Sequence, residues 1–114
     1  GDRDATKRPL MAAVAERRAQ RVVLTSDNPR SEAPAAILRQ MVVGLSHPDA
    51  ARTVEDRAQA IALAVREAQA ADVVLIAGKG HEDYQDIQGV KTPFSDRVHA
   101  RLALAARAAQ GAPA

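Results

Sequence analysis

The stretch Arg21-Val22-Val23-Leu24-Thr25-Ser26-Asp27-Asn28-Pro29-Arg30 decides the fold class. Its first half is a run of β-branched and aliphatic residues. Its second half is turn chemistry, because Asx side chains bond their own backbone and proline fixes φ. An apolar run that is nearly continuous, rather than alternating, marks a strand of a parallel sheet covered on both faces. The pattern recurs at Asp72-Val73-Val74-Leu75-Ile76-Ala77, which runs into Gly78-Lys79-Gly80. Two buried strands, each leading straight into a polar loop, set the frame.

Working outward, the segments between and around these strands read as helices. Residues 9–19 have helix-forming composition, with Pro9 near the start, where its missing N–H costs nothing. Residues 34–43 carry Ile37, Leu38, Met41 and Val42 at helical spacing, and Gly44 is the stop. Residues 56–70 place Ala60, Ile61, Ala64, Val65 and Ala68 on one stripe behind Asp56, a capping residue. Residues 95–109 begin with the cap pair Ser95-Asp96 and put Val98, Leu102 and Ala105 on one face. Residues 53–55 read as a short strand, residues 84–91 as a hairpin centred on Gly89, and residues 110–114 as a frayed tail. Alternating strands and helices predict an α/β sandwich: a mostly parallel sheet with helices on both faces and a small hairpin. With no internal repeat and no linker, residues 1–114 are expected to form a single domain. Gly1-Asp2-Arg3-Asp4 reads as the exit of a strand whose body precedes it, which predicts a piece of a larger enzyme.

Composition narrows the function. The chain has 114 residues, 46% hydrophobic and 26% charged, enough to bury a core and exclude disorder. The absence of Cys excludes a disulfide scaffold and a thiolate zinc site. No apolar run approaches the roughly 20 residues of a membrane span, and no signal-peptide core opens the sequence. An aromatic share of 2% argues against base-stacking platforms. A net charge of +2, with Arg interleaved among Asp and Glu, leaves no basic stripe, so nucleic acid is not an expected partner.

In open α/β sheets ligands bind beyond the carboxyl ends of the strands. Three loops qualify: residues 1–8, 25–34 and 78–84. Each has a bland reading as a solvated turn or helix start. The functional reading rests on charge. Arg3 and Arg30 offer forks for carboxylates, and Glu82 with the Gly78 carbonyl accepts from an ammonium, so a zwitterion such as an amino acid is the natural ligand. Gly78-Lys79-Gly80-His81 is not a Walker A loop, since the G-x-x-x-x-G-K-[ST] spacing is absent. His81 and Glu82 lack a second His at helical spacing, so no metal site is assigned, and His47 and His99 read as surface or loop residues.

At these loops the sequence resembles the C-terminal domain of the Mur ligase family, in its meso-diaminopimelate-adding type. The residues that carry the resemblance are Gly1-Asp2-Arg3-Asp4 with Lys7-Arg8-Pro9-Leu10-Met11, then Thr25-Ser26-Asp27-Asn28-Pro29-Arg30-Ser31-Glu32, then Ala77-Gly78-Lys79-Gly80-His81-Glu82-Asp83-Tyr84-Gln85, then Phe94-Ser95-Asp96-Arg97. It covers essentially the whole chain, in order. It implies a Rossmann-like three-layer domain and ATP-dependent amide formation in peptidoglycan synthesis. The D-Glu carboxylate of UDP-N-acetylmuramoyl-L-alanyl-D-glutamate is activated as an acyl phosphate and attacked by the incoming amine. It implies that ATP and Mg²⁺ are held by a central domain, that a further domain takes the UDP sugar, and that both lie upstream and outside this sequence. The reaction implies the cytoplasm. The isolated piece is expected to be inactive and to bind neither cofactor alone.

The resemblance carries the family's amino-acid site to Arg3, Asp27, Asn28, Pro29, Arg30, Gly78 and Glu82. It also implies that Asp2 and Lys7 face the nucleotide. Lysine-adding relatives resemble the pattern up to Asp-Asn-Pro but generally lack the Arg, so Arg30 favours diaminopimelate, which has one more carboxylate than lysine. The sequence departs from the family pattern at Ala33, where an acidic residue is common, and residues 46–52 are not distinctive. A stand-alone module binding an amino acid or nucleotide without catalysis, and the corresponding domain of a lysine-adding ligase, are the alternatives.

Overall fold

The computed structural model describes residues 6–78 and 82–109. Asp2, Arg3, the Lys79-Gly80-His81 part of the third loop and the tail at residues 110–114 therefore lie outside the described residues.

The chain is a mixed α/β fold of four helices and two small sheets among the described residues. Its order is α1 (Lys7–Arg18), β1 (Val23–Leu24), α2 (Pro34–Val42), β2 (Arg52–Thr53), α3 (Arg57–Glu67), β3 (Tyr84–Ile87), β4 (Val90–Pro93) and α4 (Asp96–Ala109), with a 3₁₀ turn at Pro48–Ala50. β1 and β2 pair in parallel, Val23 opposite Arg52 and Leu24 opposite Thr53. β3 and β4 form the antiparallel hairpin, from Tyr84 opposite Pro93 to Ile87 opposite Val90. Its two turn residues, Gln88 and Gly89, have φ of 55° and 78°. Positive φ at both central positions is the twist-matched geometry of tight hairpins.

The core forms where the expected stripes meet β1. Ala12 of α1, Leu24 of β1, Leu38 of α2 and Leu45 cluster, with Val22, Met41, Val42 and Ala51 against them. Gly44 is required by a close approach: a Cβ there would lie 1.9 Å from the Pro9 carbonyl oxygen, so the end of α2 reaches the start of α1 only without a side chain. On α3 the expected stripe is buried at Ala60, Ile61 and Val65, and Asp56 caps the helix by accepting from the Gln59 amide.

Five expectations are corrected. The β1 strand spans two residues rather than five, and the short strand pairs at Arg52–Thr53 rather than residues 53–55. Residues 72–77 form no strand. Val73 is 93% and Leu75 86% exposed, while Val74 and Ile76 line a groove with Val65, Ala68 and Leu104. The segment is covered by α3 and α4 on one side only, so its burial alternates where the continuous run predicted two covered faces. In α4, Val98 and Leu102 are half or more exposed, and the half-buried positions are Asp96, His99, Ala100, Ala103 and Arg107. Polar pins set that rotation. Asp96 pairs with Arg57 at one end, and Arg107 donates to the Val65 and Ala68 carbonyls, closing the C-terminus of α3, at the other. His99 is therefore a half-buried helical residue, stacked on Phe94 with ring centroids 4.3 Å apart, rather than a surface or loop residue.

Glu16 joins α1 to the loop after α2. Its carboxylate accepts from the Ser46 amide at 2.8 Å and the His47 amide at 2.9 Å. These two backbone donors hold its pKa below the ordinary glutamate range. A folded-state pKa below the unfolded one contributes stability above the unfolded value and loses it as pH falls through the folded value. The acid limb of the stability profile is expected to flatten in Glu16→Gln, measured by urea denaturation at stepped pH from about 5 downward, across the ordinary glutamate pKa of about 4.3.

Candidate functional site

The turn after β1 is built so that its side chains work on the hairpin. Pro29 is fully buried and Asn28 is 4% exposed. Asn28 divides its amide between two partners: Oδ1 accepts from the Asp86 amide at 2.8 Å, and Nδ2 donates to Glu82 Oε1 at 3.3 Å. A buried carboxamide needs both ends satisfied, and Asp86 of β3 and Glu82 just ahead of that strand satisfy them. Tyr84 Oη donates to the other Glu82 oxygen at 3.5 Å. Gln85, also buried, donates to the Asp27 carbonyl at 2.9 Å.

Arg30 sits in the left-handed region at φ 54°, which a non-glycine residue adopts only when its surroundings require it. The hairpin supplies that requirement. The Arg30 amide donates to the Asp86 carbonyl at 2.8 Å, and its carbonyl accepts from the Gln88 amide at 2.6 Å. Arg30 thus pairs as a one-residue parallel bridge with Ile87. Its guanidinium Nη1 donates to the Asn28 carbonyl at 3.4 Å. A cation and a carboxylate, Arg30 and Glu82, are held on either end of Asn28.

Gly78 has φ 107°, and a Cβ there would stand 3.7 Å from Asp27 Oδ2. The third loop therefore approaches the second at Asp27. The structure brings together Asp27, Asn28, Pro29, Arg30, Gly78 and Glu82. Lys7 opens α1, exposed, and is not drawn into this cluster. Next to it, Arg8 is buried and forms a two-point contact with Glu32, its Nη2 2.5 Å from Oε2, and donates to Gln40 Oε1 at 2.7 Å. Arg8 pins the far end of the 25–34 loop.

The residue that the sequence reading missed is Arg57. It is 3% exposed and donates through Nε and Nη2 to the two Asp96 oxygens, both at 2.8 Å. It also donates to the Ser26 carbonyl at 3.2 Å and the Ala77 carbonyl at 3.1 Å. Burial works against its charge, but the hydrogen bonds and charge of Asp96, together with the field of Asp27, outweigh it and hold its pKa above the ordinary arginine value. One signal was available: a cation in the first turn of a helix opposes the macrodipole and calls for an acidic partner. Among the described residues no three His, Cys, Asp or Glu side chains gather into a possible metal site.

A family model described as "Mur ligase, glutamate ligase domain" matches residues 1–80. The chain belongs to the Mur ligase family. It is 61% identical over 107 residues to the UDP-N-acetylmuramoyl-L-alanyl-D-glutamate–2,6-diaminopimelate ligase of Ralstonia nicotianae, covering 94% of this chain and 21% of that relative. The identically named ligase of Pseudomonas aeruginosa is 56% identical over 106 residues, covering 93% of this chain and 22% of its own length. A solved structure of a ligase with this name matches at a TM-score of 0.89 and 47% identity, over 95% of this chain and 22% of that one. The chain thus spans about a fifth of the length of the Mur ligase relatives it matches.

Asn28→Ala would leave the Asp86 amide without its acceptor and Glu82 Oε1 without its Asn28 donor. The expected loss is about 1–3 kcal/mol, the cost of an unsatisfied buried polar group, measured as a lowered urea midpoint at unchanged m-value.

Proposed function

We propose that this Mur ligase domain presents meso-diaminopimelate to an ATP-dependent amide ligase, which joins it to the D-Glu carboxylate of UDP-N-acetylmuramoyl-L-alanyl-D-glutamate. The observation that carries the reading is the cation and carboxylate arranged around Asn28, in a chain more than half identical to ligases named for this substrate pair. Arg30 takes the distal carboxylate of the amino acid. Glu82 and the Gly78 carbonyl take the neighbouring ammonium, with Asp27, Asn28 and Pro29 shaping the wall and Arg3 as a further cation. This leaves the other amine to attack the activated carboxylate. The lost proton and the displaced phosphate depart from atoms outside this domain.

In this reading residues 1–114 are one domain of a longer ligase, and ATP and Mg²⁺ are held by its other domains. The sequence has no Walker A loop, and the described carboxylates do not gather into a metal set. When bound, ATP supplies the phosphoryl group that activates the acceptor carboxylate. Asp2 and Lys7 face the nucleotide across the cleft between domains. The parallel register of β1 and β2 supports a Rossmann-like three-layer sheet in the complete enzyme. The chemistry of a UDP-linked precursor and ATP places the reaction in the cytoplasm. No helix among the described residues is long and apolar enough to cross a membrane.

Arg30 against lysine use is the deciding test. Truncating one partner of a buried charge pair costs about 2–5 kcal/mol. Arg30→Ala in the full-length ligase is expected to raise KM for meso-diaminopimelate by at least tenfold (about 1.4 kcal/mol per decade) and to leave KM for ATP in place. An unchanged KM for meso-diaminopimelate, or lysine used equally well by the parent enzyme, would overturn the assignment.

A further inference from the structure

We propose that Arg57 is a positioning residue for the amino-acid site, setting the spacing of the two loops that carry it. The inference rests on the ligase reading above for its substrate, but its geometry is independent of that reading. Ser26 immediately precedes Asp27, and Ala77 immediately precedes Gly78. One guanidinium donates to both of those carbonyls, at 3.2 and 3.1 Å. Asp27 and Gly78 each stand one peptide beyond a carbonyl held by the same rigid group.

The planar fork makes this a ruler rather than a tether. Its donors leave at fixed angles, so the two carbonyls are held at a single separation. Asp96 fixes the fork itself by accepting from Nε and from one N–H of Nη2, both at 2.8 Å. Arg57 lies in the first turn of α3 and Asp96 in the first turn of α4, so the loops are referenced to the packed pair of helices. The proximity of Asp27 favours the charged guanidinium, and Asp27 borders Gly78 on the other side. Neither Arg57 nor Asp96 is among the groups assigned to the ligand.

Lysine retains the charge but is a point donor on a flexible stem. It cannot grip a carboxylate at two points and reach two carbonyls at once. Arg57→Lys in the full-length ligase is therefore the informative variant, with Asp96→Asn as the milder one should Arg57→Lys fail to fold. In either, KM for meso-diaminopimelate is expected to rise on the order of tenfold or more, as small misplacements of binding groups do, with KM for ATP and for the UDP-linked dipeptide within about twofold of the parent. Hydrogen exchange at Asn28, Arg30 and residues 82–86 is expected to accelerate together, while amides in the middle of α2 keep their rates. A purely structural role predicts less folded enzyme and a lower kcat with every KM unchanged, and that result would overturn the proposal. Should the parent ligase show no turnover dependent on meso-diaminopimelate, the ligase reading fails, and hydrogen exchange alone decides the role of Arg57. Parental exchange rates at both loops in the variant would then sink it.

Discussion

The buried ion pair of Arg57 and Asp96 is the constraint on which the two halves of the structure depend. Desolvating two charges is expensive, and the attraction between them repays it only when the geometry is good and the remaining donors are satisfied. Here four of the five N–H donors are engaged: two parallel hydrogen bonds grip the carboxylate, and two more reach main-chain carbonyls at the ends of two segments that lead into the candidate site. Losing either partner would strand the other as a buried charge, a loss of about 3–5 kcal/mol, a large share of the stability of a small domain. The pair also explains the rotation of α4. With Asp96 held at its first turn and Arg107 at its last, the helix presents Ala100 and Ala103 to its neighbour and leaves Val98 and Leu102 outside. Polar anchors, rather than the apolar stripe, choose the buried face.

A second constraint acts inside the site. Arg30 occupies a left-handed backbone conformation that its Cβ disfavours by about 1–2 kcal/mol, and the hairpin holds it there through both its amide and its carbonyl. Asn28 joins the same hairpin from the side, bonding the Asp86 amide and Glu82. The turn after β1 and the hairpin are thus one object, although some fifty residues of chain separate them. The buried Pro29 between Asn28 and Arg30 removes the remaining freedom at the centre of the turn.

How much of this could be read beforehand follows from the range of the signals. α2, the stripe of α3 and the hairpin were legible because their patterns are local: i, i+3, i+4 spacing, a capping Asp56, and Gly89 at a tight turn. Residues 72–77 were misread because a run of Val, Leu and Ile reports apolarity without reporting which faces have neighbours. The face of α4 was misread because two long-range hydrogen-bonding anchors outrank a weak apolar stripe. Within the site, the Asp27-Asn28-Pro29-Arg30 turn was visible, and so was the charge complementarity of Arg30 and Glu82. The link between them through Asn28 was not, since it spans 54 positions. Arg57 was passed over for the same reason: its carboxylate partner is 39 residues away.

These constraints bear on how a site of this kind separates two similar amino acids. Specificity is a difference between affinities, and a flexible cation that can follow its ligand discriminates poorly. Arg30 is fixed at its backbone by the hairpin and steadied at Nη1 by the Asn28 carbonyl, so less of its freedom remains to be lost on binding. In the ligase reading, a ligand with a carboxylate at that place gains the full charge-assisted contact. A ligand without one forgoes that contact. The selectivity then resides in the hairpin and in Asn28 as much as in the arginine, and a domain could keep the Arg while losing the preference if β3 moved.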